Sequence, residues 1–215
     1  SNARYYLQGN LAFLDTEGEY HYNKETGVLY YYPKEGDGPI ENQEIIVPLM
    51  QEIIVLKGED KENLADVPDP ENQVHNIVFY GLYLECTEFT NSFSSGWNSF
   101  DAKGIIGKFP DEAKLPEVTN PSYCEQSDRP EFQKGAMTLT YTNNITIDSV
   151  KVNNTGLFGI ALFRDNNDIV IRNSEIAYTG YGGITMDGGY PGVGKYSYNI
   201  TVTNSIIHDV GELVG

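Results

Sequence analysis

Between Gly135 and Asp209 the chain repeats itself, and a repeat restricts a sequence to a small set of architectures. Asn144, Asp168 and Asn199 start equivalent stretches. Each is followed by isoleucine, at Ile145, Ile169 and Ile200, and two residues later stand Ile147, Ile171 and Val202. Ser149, Asn173 and Asn204 come next, then Val152, Ile176 and Ile207, and finally Thr155, Thr179 and Val210, each followed by glycine. An earlier copy starts at Asn76 and places Ile77, Phe79, Gly81, Leu84 and Thr87 at the same steps. Asn144 to Asp168 is a step of 24 residues, a spacing shared by Gly135, Gly159 and Gly183, whereas Asp168 to Asn199 is a step of 31.

Side-chain periodicity selects among repeat folds. Ile145-Thr146-Ile147 and Ile200-Thr201-Val202 alternate with period two, which is the strand period. The runs are short and rich in β-branched residues. No helical period is present, which excludes ankyrin and tetratricopeptide arrays, and the ladder is Ile and Val rather than the leucine of leucine-rich repeats. The pattern predicts an all-β parallel β-helix with about three short strands per coil, each strand pairing with its copy roughly 4.8 Å along the axis. Gly81, Ser149, Asn173 and Asn204 then fall at corners, where Gly and Asn tolerate left-handed backbone angles. Stacked asparagines can hydrogen-bond along the axis. Asn144, Asn153 and Asn199 also fit the N-glycosylation pattern, but the repeat itself requires Asn and Thr there, so the structural reading is preferred.

In chain order, residues 11–33 read as a hairpin, with strands Tyr20-His21-Tyr22 and Val28 to Tyr32 and Gly27 at a left-handed turn position. Ile45-Ile46-Val47 and Ile53 to Leu56 read as strands separated by Pro48, and Asp60 to Gln73 as a loop. The periodicity breaks from 90 to 134, a long insert of the kind used for functional loops or lids. It carries Trp97 with Phe93, Phe100, Phe109 and Tyr123. A Gly-rich insert, Gly188 to Ser197, accounts for the longer last step. The expected organisation is a tag scar at 1–3, a hairpin and strand extension at 4–75, and coils at 76–215. Ser1-Asn2-Ala3 reads as the remnant of a cleaved tag, no signal peptide is visible, and no cap is visible at the C-terminus, so a piece of a longer protein is expected.

At 215 residues the chain suits one domain that buries roughly 70% of its unfolded surface. A formal net charge of -17 argues against nucleic acid and suits an exported protein that handles neutral or cationic material, or Ca²⁺. No apolar run reaches membrane-span length, so membrane insertion is not expected. Of the two cysteines, Cys124 lies in the insert, and Cys86, two residues after Leu84, reads as a buried thiol.

Leu14-Asp15-Thr16-Glu17-Gly18-Glu19-Tyr20, followed by Thr26 to Pro33 and then Asn76-Ile77-Val78-Phe79-Tyr80-Gly81-Leu82, resembles a segment of large bacterial right-handed parallel β-helix proteins. The later stretches Gly159 to Leu162, Gly182 to Met186 and Ile207 to Gly211 fit the same pattern, so the resemblance spans most of residues 11–215. Such proteins are similar to the pectate-lyase-like superfamily, one branch of which holds glycoside hydrolases, among them α-L-fucosidases and xylanases. The resemblance implies a polysaccharide or oligosaccharide ligand and a secreted, periplasmic or cell-surface setting in a bacterium. It does not by itself imply a reaction.

Glycoside hydrolysis needs two carboxyl groups across the scissile bond, and a lyase needs a base and a cation beside the sugar. The 24-residue glycine spacing predicts that Ala136, Ile160, Ile184 and Thr138, Leu162, Met186 point inward, with Met137, Ala161, Thr185 and Leu139, Phe163, Asp187 outward. Leu139 and Phe163 then need a cover, for which the 90–134 insert is the candidate. Asp187 is the first acid on that face, beside Thr185, and its glycine neighbours allow close approach of a ligand. Asp165 and Asp209 are the other candidate carboxylates, although Asp165 in Asp165-Asn166-Asn167-Asp168 also reads as a turn residue. Asp165 and Asp168 are the candidate Ca²⁺ ligands. Arg164 and Arg172 are candidate lyase cations, Trp97 and Tyr181 candidate sugar-stacking rings, and His208 a candidate substrate contact. Three functions are carried forward: a hydrolase centred on Asp187, a noncatalytic glycan-binding or structural segment, and a polysaccharide lyase. Exposed coil ends also invite self-association.

Overall fold

The computed structural model describes residues 10–23, 25–59, 72–88, 134–187 and 197–212. The chain divides into a small unit, Ser1–Val47 with Gly215, and a large unit, Pro48–Val214. In the small unit β1 (Tyr20–Asn23) pairs antiparallel with β2 (Val28–Tyr31). The turn between them closes on one side chain: Asn23 Oδ1 accepts from the backbone of Glu25 and Thr26 at 3.0 and 3.1 Å. Gly27 takes the expected left-handed angle, φ 69°. Ile45-Ile46-Val47 forms no strand and is exposed. β-branched residues favour a strand only where an edge offers hydrogen bonds, and Pro48 behind them has no N–H to pair.

The large unit is built from parallel strands. They are β3 (Ile54–Lys57), β4 (Val74–Tyr80), β5 (Tyr83–Glu85), β6 (Gly135–Asp148), β7 (Lys151–Thr155), β8 (Phe158–Arg172), β9 (Glu175–Thr179), β10 (Gly182–Asp187), β11 (Tyr198–Thr203) and β12 (Ile206–Val210). One sheet runs β10-β8-β6-β3, with β11 also on β8 and β4 also on β6; the other runs β12-β9-β7-β5. β3, assigned from sequence to an N-terminal extension, is therefore part of the six-stranded sheet. β6 and β8, of 14 and 15 residues, each run through what the sequence suggested were separate short strands.

The register reproduces the sequence repeat over most of its length. Ile77, Ile145, Ile169 and Ile200 lie in one column, and Leu84, Val152, Ile176 and Ile207 in another. These columns face each other in one apolar core that includes Ile145, Ile147, Ile169, Ile171 and Ile176, all fully buried. At about 25 cal/mol per Å² of apolar area, such burial is the main term favouring this arrangement.

Corners follow the columns as well. Gly81, Ser149, Asn173 and Asn204 have φ of 67°, 56°, 53° and 47°, and Asn76, Asn144, Asp168 and Asn199 are left-handed too. Their amides stack: Asn144 Nδ2 donates to Asn76 Oδ1 at 2.6 Å, and Asn204 Nδ2 to Asn173 Oδ1 at 2.6 Å. Asn199 Nδ2 donates to Asp168 Oδ1. A third left-handed column, Cys86, Asn154, Tyr178 and Asp209, had no glycine to advertise it. Cys86 is thus a half-buried corner thiol rather than a core residue, and its desolvation pushes the thiol pKa up.

The start of β6 corrects the glycine alignment. Gly135 pairs with Phe158 and Met137 with Ile160, so this stretch is out of step by one residue until a bulge between Thr140 and Thr142 restores the 24-residue step. A one-residue slip exchanges the faces. Met137 and Leu139 consequently lie in the core with Ile160 and Leu162, and Thr138 faces out, where its hydroxyl donates to Glu52 Oε1 at 2.5 Å. Leu139 needs no outer cover. The true small-residue column is Ala136, Gly159 and Gly183. A Cβ on Gly159 would lie 2.5 Å from Ile176 Cγ2, and one on Gly183 2.5 Å from Ile207 Cγ2, so close packing of the two sheets demands glycine there.

Candidate functional site

The outer face of the four-stranded sheet gathers charged and aromatic groups from consecutive strands. Lys151 on β7 lies opposite Glu175 on β9, and His208 on β12 lies opposite Ala177, whose small side chain is buried. Lys151 Nζ is 2.8 Å from Glu175 Oε2, and His208 Nε2 is 3.6 Å from Glu175 Oε1. His208 Nδ1 is 2.7 Å from Asp209 Oδ2, and the Tyr178 and His208 rings meet in a T-shaped contact with centroids 6.0 Å apart. One imidazole therefore stands between two carboxylates on a surface open to solvent, with side-chain exposure of 63% at Lys151 and 41% at Glu175.

Electrostatics follow from these contacts. The Lys151 ammonium, through a hydrogen bond and its charge, holds the Glu175 carboxyl below its ordinary range, and His208 adds to this. Glu175 raises Lys151 in return. The hydrogen bond to Asp209 raises His208, with Glu175 helping and desolvation opposing. A general acid needs a carboxyl pushed upward toward neutrality, and Glu175 is pushed the other way. Glu175 is therefore held as a carboxylate, an acceptor rather than a proton donor.

The six-stranded sheet differs. Leu157, Phe158, Ala161 and Phe163 form a second buried apolar cluster, and Tyr181 packs edge-on to Phe158 at 5.1 Å. Phe163 is covered, as expected, but the 90–134 insert assigned as its cover lies, apart from Lys134, outside the described residues, and so does Trp97. Thr185 lies opposite Ala161 and Asp187 opposite Phe163 at the end of β10.

Asp165, Asn166 and Asn167 occupy the bend after Phe163, beside the bulge. Asp165 is 2% exposed, and its carboxylate accepts from Asn167 Nδ2 at 2.5 Å. Asn166 is fully buried, donating to the Phe163 carbonyl and accepting from the Thr142 hydroxyl, both at 2.8 Å. Ser197 Oγ donates to the Arg164 carbonyl at 3.0 Å. Asp165 is thus hydrogen-bonded within strand β8 rather than in the turn expected from its sequence. Asp168, its proposed partner for Ca²⁺, accepts from Asn143 and Asn199. Among the described residues no group of three or more His, Cys, Asp or Glu side chains is placed to hold a metal ion. Arg172 Nε donates to Asp148 Oδ2 at 2.8 Å, and Asn173 donates to the same carboxylate. Those two hydrogen bonds hold Asp148 below the usual carboxylate range.

Of the residues proposed from sequence, the fold brings together His208 and Asp209. Thr185 and Asp187 lie on the other sheet, and Arg164 and Asp165 in its bend. Lys151, Glu175 and Tyr178 were missed. The signal was their place at the outward steps of the repeat, which becomes informative only once strands are stacked. No family model, curated protein or solved structure matches the chain, so any family resemblance rests on its own residues.

Proposed function

We propose that this chain is a stretch of right-handed parallel β-helix from a secreted bacterial carbohydrate-active protein, and that it holds polysaccharide on the outer face of its four-stranded sheet. The helical winding is supported by the way the chain alternates between two parallel sheets, β4 to β5, β6 to β7, β8 to β9 and β11 to β12, moving one strand along each time. Parallel crossovers of this type are right-handed in almost all proteins. The observation that carries the ligand reading is the exposed cluster of Lys151, Glu175, His208 and Asp209 beside Tyr178. It offers donors and acceptors of both kinds next to an aromatic ring, as a neutral, hydroxyl-rich ligand requires. Strands repeating at about 4.8 Å present such groups in a line suited to a linear polymer.

A second reading is hydrolysis. Asp209 and Glu175 flank the His208 ring, and glycoside hydrolysis uses a pair of carboxyl groups. Lys151 holds Glu175 toward its ionised form, which suits a base and leaves the acid to another residue; Asp187, the first candidate from sequence, lies on the other sheet.

The test is a panel of neutral and acidic polysaccharides assayed for binding by calorimetry and for product by reducing ends and ultraviolet absorbance. Saturable binding that Tyr178→Ala and His208→Ala each weaken about tenfold or more supports the binding reading. Release of reducing ends would put hydrolysis first, and unsaturated products would put a lyase first. Absence of both binding and product across the panel overturns the carbohydrate assignment.

A further inference from the structure

One interior column of the large unit is polar. Thr87, Thr155, Thr179 and Val210 occupy equivalent steps of the repeat, each one residue after a left-handed corner, at Cys86, Asn154, Tyr178 and Asp209. Thr155 pairs with Thr179, and Thr179 with Val210. Thr155 and Thr179 are 4% and 0% exposed. The column faces inward: Val210 Cγ1 lies 3.4 Å from where a Cβ on Gly183 would stand, in the interior between the sheets.

The threonines differ in what their hydroxyls meet. Thr87 Oγ1 accepts from the Gly156 N–H at 3.1 Å. Thr155 Oγ1 and Thr179 Oγ1 are buried with no hydrogen-bond partner among the described residues. The N–H groups equivalent to that of Gly156 are taken elsewhere. Gly180 N–H donates to the Thr155 carbonyl at 2.8 Å, and Gly211 N–H to the Thr179 carbonyl at 2.9 Å. A buried hydroxyl left alone keeps the full cost of leaving solvent, and valine, as at position 210, would avoid it.

We infer that one buried water molecule bridges the Thr155 and Thr179 hydroxyls. Neighbouring parallel strands are spaced by roughly 4.8 Å, and side chains stacked in a column keep that separation. The gap is too long for a direct hydrogen bond and right for one water. Two bonds of about 2.8 Å across roughly 4.8 Å open an angle of about 120° at the water oxygen, near its tetrahedral preference. A hydroxyl both donates and accepts, and so does water. The adjoining inward column, Ala136, Gly159 and Gly183, brings no side chain larger than a methyl group to this part of the interior. β7 and β9 lie between β5 and β12, so the site is enclosed on both sides along the sheet. Buried waters of this kind satisfy polar groups that the chain leaves unpaired, and they belong to the fold.

A crystal structure of the 215-residue chain, at a resolution that orders solvent, tests this directly. The expected result is one density peak about 2.5–3.0 Å from both Oγ1 atoms. Urea denaturation of valine variants gives a second measurement. Thr179→Val keeps the side-chain shape, and Val210 shows that valine fits this column. It strips the water of one partner and strands the Thr155 hydroxyl, so the urea midpoint falls. The double variant Thr155→Val, Thr179→Val replaces both partners by apolar groups of the same shape, so the midpoint returns most of the way to the wild-type value. Missing density between the two hydroxyls overturns the proposal. A Thr179→Val midpoint at or above that of the wild type also overturns it, because the hydroxyl then bonds to nothing. Losses that simply add in the double variant overturn it as well, because each hydroxyl then bonds separately to the chain.

Discussion

The two sheets of the large unit share a core but treat their outer faces in opposite ways. On the six-stranded sheet Ala161 and Phe163 are buried on the side away from the main core. On the four-stranded sheet the outer side carries Lys151, Glu175 and His208 in solvent. A strand buried on both faces reads as a continuous apolar run, and Phe158 to Phe163 is such a run. Glu175 to Thr179 alternates instead, as a strand with one wet face does. The difference is the reason the proposed ligand is assigned to the four-stranded sheet. A face sealed by apolar packing serves stability, whereas charged groups held in register in water are available to a ligand.

The strongest way to break this contrast is to truncate one aromatic on each face. Phe163→Ala is expected to cost about 3–5 kcal/mol, because it empties a packed site. Tyr178→Ala is expected to stay within about 0.5 kcal/mol, as exposed substitutions usually do. Urea denaturation of both variants decides the matter, and equal losses would mean that the two faces are alike. The buried hydrogen bonds of Asn166 beside Phe163 give the next largest effect. Asn166→Ala leaves the Thr142 hydroxyl and the Phe163 carbonyl without their buried partner, at a cost of about 1–3 kcal/mol in the same measurement.

Two pH experiments sharpen the comparison further. Asp148 has its carboxyl lowered by Asn173 and Arg172, so its contribution is present above the unfolded value, about 3.9, and is lost as pH falls through the lower folded value. Thermal unfolding between pH 2 and 5 should show less loss on acidification for Asp148→Asn than for the wild type. His208 is raised, so its contribution is complete below the unfolded value, about 6.5, and disappears as pH rises through the folded one. The stability effect of this exposed group is the smallest of the series. The direct readout is NMR titration of the ring, which should shift to lower pH in Asp209→Asn.

Much of this was legible in the residues. Ile145, Ile169 and Ile200 predicted their own column, and Ser149, Asn173 and Asn204 their corners, because a stacked repeat places like on like. The Asp165-Asn166-Asn167-Asp168 run has turn composition, yet it lies within strand β8, where its side chains hydrogen-bond to one another and to neighbouring strands. The failures have a common cause. Gly135 shares a spacing with Gly159, but a bulge at Thr140 absorbs one residue, and spacing alone cannot tell an in-step glycine from one displaced by a bulge. Ile45 to Val47 has strand composition and finds no strand to pair with.

By itself, the sequence determined the period, the strand character and the identity of the columns, since alternation and turn chemistry act over a few neighbouring residues. Only the tertiary structure decided which outward residues meet. Lys151, Glu175 and His208 are separated by 24 and 33 positions along the chain, and stacking brings them within ion-pair reach. The exact register, and with it the side of the sheet on which Met137 and Leu139 fall, likewise depended on one bulge that no local propensity specifies.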